Sequence, residues 1–375
     1  MTLNRKKRNG RIELYRFIFA IYVLLFHFEK YFMGEPSLKD GFHLALFPHG
    51  SIGVEFFFLL SGFFMAKSIK KKRNSMMEEK GRIVSKPADW IRFIAGKYSS
   101  IFPYHVIAFV FSFATYVMFK GFDWKHAVVC LIDSVPNFLL VQMSGISLTN
   151  PNHVEWYISC MLLAMCVIYP FAIRYYEAVY TYIAPVLAVF AIGYLMYTTN
   201  ALTGVSVWMG FCFKATLRAV IEILLGGTAY ELSEKLSQLD PRSSIRRWLP
   251  AAEAAAFFFT FVFAVTTVPS QYEVYALALL FVLVTVSGTG ISHAGSIFNS
   301  RICFFLGRLS LPVYLSQISV VWMGQKYGWE GAAYLPLFLI FVLILSVAVM
   351  TGGNLLKSIS SDMHRISSGS ERRQA

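Results

Sequence analysis

Glu13, Arg16 and His27, which carry or exchange charge, lie within a mostly apolar run at 12–32. A charged group inside a membrane span costs a few kcal/mol, so ionisable residues in such a run usually have a function. Arg16 and His27 are eleven residues apart, which leaves about 20° of rotation and about 16 Å of rise between them. One helix face therefore offers a fixed positive charge and, deeper, an imidazole for acid–base chemistry. A purely structural pair, an interfacial arginine and a hydrogen-bonded histidine, fits this helix equally well.

The composition indicates a membrane protein. Hydrophobic residues make up 56% and charged residues 15% of the 375 residues, whereas soluble domains have about 25% charged residues. No polar stretch reaches about 50 residues, the least that a soluble domain needs. The five cysteines lie in apolar segments without metal-ligand spacing, so we expect no metal site. The net charge of +13 is explained by basic cytoplasmic loops beside the lipid bilayer, and we expect no nucleic-acid partner.

Ten apolar runs are long enough, at about 20 residues, to cross a bilayer as helices. They lie at 12–32, 51–68, 98–119, 153–173, 181–199, 213–231, 249–268, 272–291, 302–323 and 333–356. An eleventh run at 126–142 is shorter and contains Asp133, Pro136 and Asn137. The sequence therefore predicts an all-α, multi-pass membrane protein.

The positions of Lys and Arg decide how the eleventh run is counted, because these residues mark the cytoplasmic side. If the run 126–142 does not cross the bilayer, the clusters of Lys and Arg along the chain all fall on one side of the membrane. We therefore predict ten transmembrane helices, a re-entrant or peripheral helix at 126–142, and both termini in the cytoplasm. Residues 1–356 would form a single transmembrane domain in the plasma membrane, and 357–375 a mobile cytoplasmic tail.

Carboxyl, imidazole and aromatic groups gather at the outer level of this topology. Glu55 lies at a depth similar to that of His27, where a carboxylate can orient an imidazole as a general base. His153, Glu155 and Trp156 begin the 153–173 run at the same level. Structural alternatives are a solvated Glu55 and a Trp156 that belongs to the interfacial aromatic belt.

Basic residues gather at the inner level. Arg16, Arg92 and Lys97 are placed to converge near the cytoplasmic mouth of a cavity, where their side chains suit phosphate groups. The layout thus has cations inside and His27 with carboxylates outside. An enzyme that joins a cytosolic activated donor to an outer acceptor needs such a layout, and a transporter or proton relay uses similar residues.

Two further polar patterns have structural explanations. Arg218 and Glu222 are four residues apart, so they form an ion pair that lowers the cost of burial. Ser61 and Gly62 are better explained as a small pair that permits close helix packing. A nucleophilic Ser61 would need a base, and none is apparent at its depth.

Four short motifs follow one another along nearly the whole chain. They are residues 10–16 leading to His27, the acidic, Phe-Phe and Ser-Gly-Phe pattern at 53–63, residues 156–159 followed by Tyr169-Pro170, and residues 306–310 followed by Tyr314-Leu315. Together they resemble the signatures of the acyltransferase-3 family of integral membrane acyltransferases. In two places the chain departs from that family: Lys97 precedes Pro103 where paired arginines are common, and Gln317 stands where a histidine is common.

The resemblance implies transfer of an acyl group, most often acetyl from acetyl-coenzyme A as co-substrate, to a hydroxyl of a surface carbohydrate or lipid-linked sugar. His27 would be the general base, and Glu55 would orient it. Arg16, together with Arg92 and Lys97, would bind the coenzyme.

The same resemblance implies an acceptor site at the outer level. We expect Glu155, Trp156 and Arg218 to bind or orient the acceptor. Alternatives from other classes are a transporter or flippase for a sugar, lipid or acyl donor, and a membrane scaffold. Buried ionisable groups serve a transporter as well as an enzyme. Many transporters, however, are built from internal repeats, and no repeat is visible in this chain.

Overall fold

The computed structural model describes residues 9–34, 46–146, 149–291 and 298–374, which form helices joined by turns and loops. The basic cluster at 5–8 lies outside these ranges. The α-helices are α1 Gly10–Phe28, α2 Gly53–Lys80, α3 Pro87–Lys120, α4 Trp124–Asp133, α5 Val135–Phe138, α6 Trp156–Arg174, α7 Ala184–Thr199, α8 Lys214–Ser237, α9 Ser244–Ala264, α10 Glu273–Thr289, α11 Arg301–Lys326 and α12 Leu335–Gln374. The β-type pairing of the described residues is confined to isolated bridge positions, such as the bridge between Trp208 and Phe213. The predicted all-α class is thus confirmed.

Eight helical stretches of the described residues are long and apolar enough to cross a membrane. They are Gly50–Lys80, Pro87–Lys120, His153–Arg174, Ala178–Thr199, Ser244–Ala264, Ser270–Thr289, Arg301–Lys326 and Ala332–Ser360. The helices α1 and α8 are absent from this set because each carries at least three charged residues near its start. The ten-span count and the side of each terminus stay predictions.

The helices α1 and α8 nevertheless lie in the middle of the bundle, where α8 packs along α2 and α1 along α11. Glycines permit the close approach of α2 and α8. A Cβ atom at Gly62 would overlap the carbonyl oxygen of Ile223, and one at Gly226 would overlap that of Leu59. The interpretation of Ser61-Gly62 as a packing pair is therefore confirmed for the glycine.

The segment after α3 begins with an exposed part and ends with a part that is buried between helices. Most side chains of α4 are exposed, Trp124 and Ile132 among them. In contrast, Met143 lies between α6 and α8: its N–H donates to Ser159 Oγ at 3.1 Å, and its carbonyl accepts from Thr216 Oγ1 at 3.2 Å. The predicted non-spanning helix at 126–142 is thus peripheral at its start and inserted between helices at its end.

The final helix α12 continues to Gln374, well past the end of its candidate span at Ser360. The tail predicted to be mobile is therefore helical over most of its length in this structure.

Candidate active site

A cavity of about 700 Å³ opens among α1, α2, α3, α6, α10 and α11. The three cationic residues Arg16, Lys67 and Lys97 lie on its wall. Tyr157 and Tyr314, from α6 and α11, lie on the wall of the same cavity with Phe57 of α2. A charged region and an uncharged region therefore share one space.

The cationic region contains two of the three residues predicted to bind the coenzyme. Arg16 Nη1 donates to Glu13 Oε2 at 2.8 Å, so one of the five guanidinium N–H groups is used and others are available to a ligand. The Lys97 ammonium lies 5.7 Å from the centre of the Phe93 ring. Lys67 was not predicted, although it continues the helical spacing of Phe57, Ser61 and Phe64 along the cavity face of α2.

The third predicted coenzyme residue, Arg92, is not on the cavity wall. Its side chain is 77% exposed and lies 3.9 Å from Asp89 Oδ1. Arg92 and Lys97 are five residues apart on α3, a rotation of about 140°, so they cannot point into the same cavity. The prediction that all three cations converge on one cavity is therefore wrong for Arg92.

The uncharged region of the cavity is closed by aromatic rings. Phe57 lies 5.9 Å from Tyr157 and 6.3 Å from Tyr314, measured between ring centres, and the two tyrosines are 5.8 Å apart. We call these three residues the ring cluster. The hydroxyl of Ser61 lies 3.1 Å from the hydroxyl of Tyr157.

His27 is held by Gln317, which is three residues along α11 from Tyr314 of the ring cluster. The side-chain amide of Gln317 donates to the carbonyl of Tyr314 at 2.9 Å, which leaves its oxygen facing His27 Nδ1 at 3.1 Å. Nδ1 also faces the carbonyl oxygen of Val23 at 2.9 Å. Since both neighbours are acceptors, Nδ1 carries the proton of a neutral imidazole, and Nε2 has the free lone pair of a base.

Glu55 does not orient His27, contrary to the prediction. Its Oε1 lies 3.5 Å from Arg218 Nη1. Depth was predicted from sequence, but the direction around the helix was not. Glu55 shares the α8-facing side of α2 with Gly62, whereas the cavity face carries Phe57 and Ser61.

Glu155 is fully buried, and its carboxylate is already bound by three protein groups. It accepts from His105 Nδ1 at 2.7 Å, from Asn152 Nδ2 at 2.8 Å and from Asn137 Nδ2 at 2.9 Å. His105 Nε2 in turn donates to the carbonyl of Phe138 at 2.8 Å. This network fixes the inserted segment to α3, so the structure gives Glu155 a positioning role and leaves it no free oxygen for an acceptor.

Arg218 and Glu222 form the predicted ion pair, with Nε and Oε1 separated by 3.6 Å. The Arg218 guanidinium also lies 5.2 Å from the centre of the Trp156 ring. Both charged residues are almost fully buried. Arg218 and Trp156, predicted to bind the acceptor, therefore belong to an internal ionic cluster with Glu55.

Aromatic and polar side chains also surround His27. The ring of His27 lies 6.2 Å from those of Tyr31 and His153. The Tyr31 hydroxyl contacts His153 Nε2 at 3.0 Å, and the Trp322 ring lies 5.6 Å from that of His153. All four side chains are half-buried, so this outer cluster is accessible.

A second cavity of about 310 Å³ lies beside the end of α1 and is lined by Glu29, His49 and Glu273 among others. It shares no lining residue with the larger cavity. The two spaces are separate in this structure.

The family model described as an acyltransferase domain matches residues 9–352. The match includes every residue of the cavity wall, the ring cluster and the His27–Gln317 pair. No curated protein and no solved structure matches the chain.

Proposed function

Because the chain belongs to the acyltransferase-3 family over nearly its whole length, and is thus a membrane acyltransferase, we propose that it moves an acetyl group from acetyl-coenzyme A to a hydroxyl of a cell-surface carbohydrate or lipid-linked glycan. The donor is placed on the cytoplasmic side, with both termini. The acceptor is placed at the outer cluster of His27, Tyr31, His153 and Trp322.

The observation that carries the proposal is the division of the large cavity. Its cations Arg16, Lys67 and Lys97 suit the phosphates of a coenzyme. Its uncharged region, with the ring cluster and Ser61, suits an apolar arm that ends in a thioester. Tyr314 on the cavity wall is three residues from Gln317, about 4.5 Å along the helix axis, so the cavity approaches the partner of His27.

The chemistry assigned to His27 is general base catalysis. Nε2 takes the proton of the acceptor hydroxyl while the oxygen of that hydroxyl forms a bond to the thioester carbonyl carbon. The carbon–sulfur bond then breaks, and the proton passes to the departing coenzyme sulfur, which gives an acetyl ester and free coenzyme. Proton removal of this kind contributes about 10²–10⁴-fold to a rate.

The test uses detergent-purified protein and acetyl-coenzyme A labelled in the acetyl group. We expect wild type to label a glycan or glycolipid fraction of a cell-envelope extract. His27→Ala should bind the coenzyme normally but transfer about 10²–10⁴-fold more slowly, and Arg16→Ala should bind it more weakly.

A folded wild type that binds no acetyl-coenzyme A would refute the proposal. Movement of a labelled sugar or lipid across proteoliposomes without covalent labelling would favour the transporter alternative.

A further inference from the structure

Two neighbouring hydroxyls, on Ser61 of α2 and Tyr157 of α6, face the uncharged region of the large cavity. Their oxygens are 3.1 Å apart, so one of the two donates to the other. The remaining hydroxyl hydrogen has the thioether of Met161 as its described partner, at 3.3 Å from Ser61 Oγ and 3.6 Å from the Tyr157 oxygen. A thioether is a weak acceptor, so a ligand oxygen that reached this pair would gain a better hydrogen bond than the one it replaced.

The other hydroxyls on this part of the wall are already bound to carbonyl groups. Tyr314 donates to the carbonyl of Val154 at 2.6 Å, and Ser310 donates to that of Gly307 at 2.8 Å. Unlike their neighbours, Ser61 and Tyr157 thus have between them one hydroxyl hydrogen without a strong acceptor among the described residues.

The pair is held rigidly. Ser61 precedes Gly62, whose contact with Ile223 fixes α2 against α8. The Tyr157 ring packs against Phe58, with ring centres 4.7 Å apart, and against Phe57 and Tyr314. Fixed donors stabilise a developing charge without the cost of reorganisation.

From this arrangement we infer that the hydroxyls of Ser61 and Tyr157 together bind the carbonyl oxygen of the acyl thioester and stabilise the negative charge that it gains during transfer. The inference rests on the proposed function and assigns two catalytic residues to it. The carbonyl oxygen takes up an electron pair when the acceptor oxygen attacks, and returns it when the carbon–sulfur bond breaks. Ser61 and Tyr157 keep their protons, because the acceptor proton goes to His27.

This role also differs from that of a nucleophile. The contacts of Ser61 Oγ are a phenol and a thioether, and neither can remove its proton as an imidazole or carboxylate does. No acyl-serine forms in the sequence of steps inferred here.

The kinetic test compares Tyr157→Phe, Ser61→Ala and the double variant. Loss of one such donor lowers kcat by about 10²–10³-fold. We expect that fall in each single variant with KM for acetyl-coenzyme A unchanged, and a double variant much less impaired than the product of the two losses. A rise in KM with an unchanged kcat in both single variants would overturn the inference.

A spectroscopic test separates this role from a merely structural one. Acetyl-coenzyme A with a ¹³C-labelled thioester carbonyl is bound to His27→Ala without an acceptor, so that it is not consumed during the measurement. We expect the infrared carbonyl band of the bound thioester to lie at a lower frequency than in water. Adding Tyr157→Phe or Ser61→Ala should move the band back toward its frequency in water, whereas adding Ser310→Ala should leave the lowered frequency unchanged. The double variant Ser61→Ala and His27→Ala preserves the measurement if Tyr157→Phe does not fold.

The two proposals fail differently. Absence of coenzyme binding to folded wild type refutes the acetyl-coenzyme A function itself. Normal binding with an unshifted carbonyl band, or normal kcat in Tyr157→Phe and Ser61→Ala, refutes only the role of the hydroxyl pair.

Discussion

At the scale of single residues, Gln317 replaces the carboxylate that the sequence led us to expect beside His27. Its amide is oriented by the carbonyl of Tyr314, and its oxygen accepts from His27 Nδ1. A neutral amide fixes the tautomer without adding charge to the bundle. The departure of this position from the family pattern was visible in the sequence, but its contact with His27, 290 positions away, was not.

Removing the amide should slow the chemical step and leave coenzyme binding intact. Gln317→Leu loses one hydrogen bond to His27, worth about 0.5–1.5 kcal/mol, so kcat should fall by up to about tenfold. KM for acetyl-coenzyme A should not change, because Gln317 is not on the cavity wall. Steady-state kinetics of Gln317→Leu beside Gln325→Leu, two turns further along α11, provide the measurement; equal rates in both would contradict this role.

Lys97 and Arg92 lie on different faces of α3, so we expect them to contribute differently to coenzyme binding. Lys97→Ala should weaken binding of acetyl-coenzyme A, because Lys97 lines the cavity. Arg92→Ala should bind like wild type, because Arg92 points away. An exposed ion pair contributes about 0.2–1 kcal/mol, so we expect a change in Kd of about 1.4- to fivefold for Lys97→Ala, measured by calorimetry in detergent. A larger effect of Arg92→Ala would show that the cationic region has been misassigned.

At the scale of helices, α2 shows what sequence can and cannot predict. Its helical, membrane-spanning character and the packing role of Gly62 were predicted correctly. The orientation of α2 about its own axis was not, because both of its faces are buried and carry polar residues. Glu55 was therefore assigned to His27, although it faces Arg218.

The close contact of α2 with α8 makes a prediction about stability. Gly62→Ala places a methyl group where the Ile223 carbonyl lies, and overpacking of this kind costs about 1–3 kcal/mol. Gly96→Ala in α3 is the matched control, since nothing lies within 4 Å of the added Cβ and alanine favours the helix. Thermal unfolding in detergent should show a lower midpoint for the first variant alone; an unchanged midpoint in Gly62→Ala would contradict the packing.

The inserted segment depends on the network of Glu155. Glu155→Ala leaves His105, Asn137 and Asn152 without their common acceptor, and breaking a buried charged pair costs about 3–5 kcal/mol. We expect a large loss of thermal stability, and faster proteolysis between α5 and α6. Glu330→Ala, in an exposed turn, serves as control. Stability equal to that of the control would mean that other contacts hold the segment.

At the scale of the whole molecule, the helices α1 and α8 combine charged residues with close packing against their neighbours. Neither α1 nor α8 has the composition of a typical span, yet they pack against α11 and α2. Their charges are matched inside the protein, Arg16 with Glu13 and Arg218 with Glu222. Sequence periodicity predicted the helices and a non-spanning segment at 126–142, but not where that segment ends. Phe138 and Met143 are held there by His105, Ser159 and Thr216 of other helices.

The distribution of charge around the cavity predicts a dependence on salt. Arg16, Lys67 and Lys97 are all partly accessible, and attraction between accessible charges is screened over about 10 Å at 0.1 M salt. KM for acetyl-coenzyme A should therefore rise with ionic strength while kcat stays nearly constant. A titration with sodium chloride at fixed detergent concentration tests this, and a KM independent of salt would contradict a phosphate-binding role for the three cations.

The ring cluster has a consequence for the cell that carries this enzyme. Phe57, Tyr157 and Tyr314 lie on the wall of the larger cavity, whereas none of the four residues of the outer cluster does, and hydrated ions do not cross tightly packed aromatic side chains. We therefore expect the protein, when placed in an energised membrane, not to dissipate the proton gradient or the membrane potential.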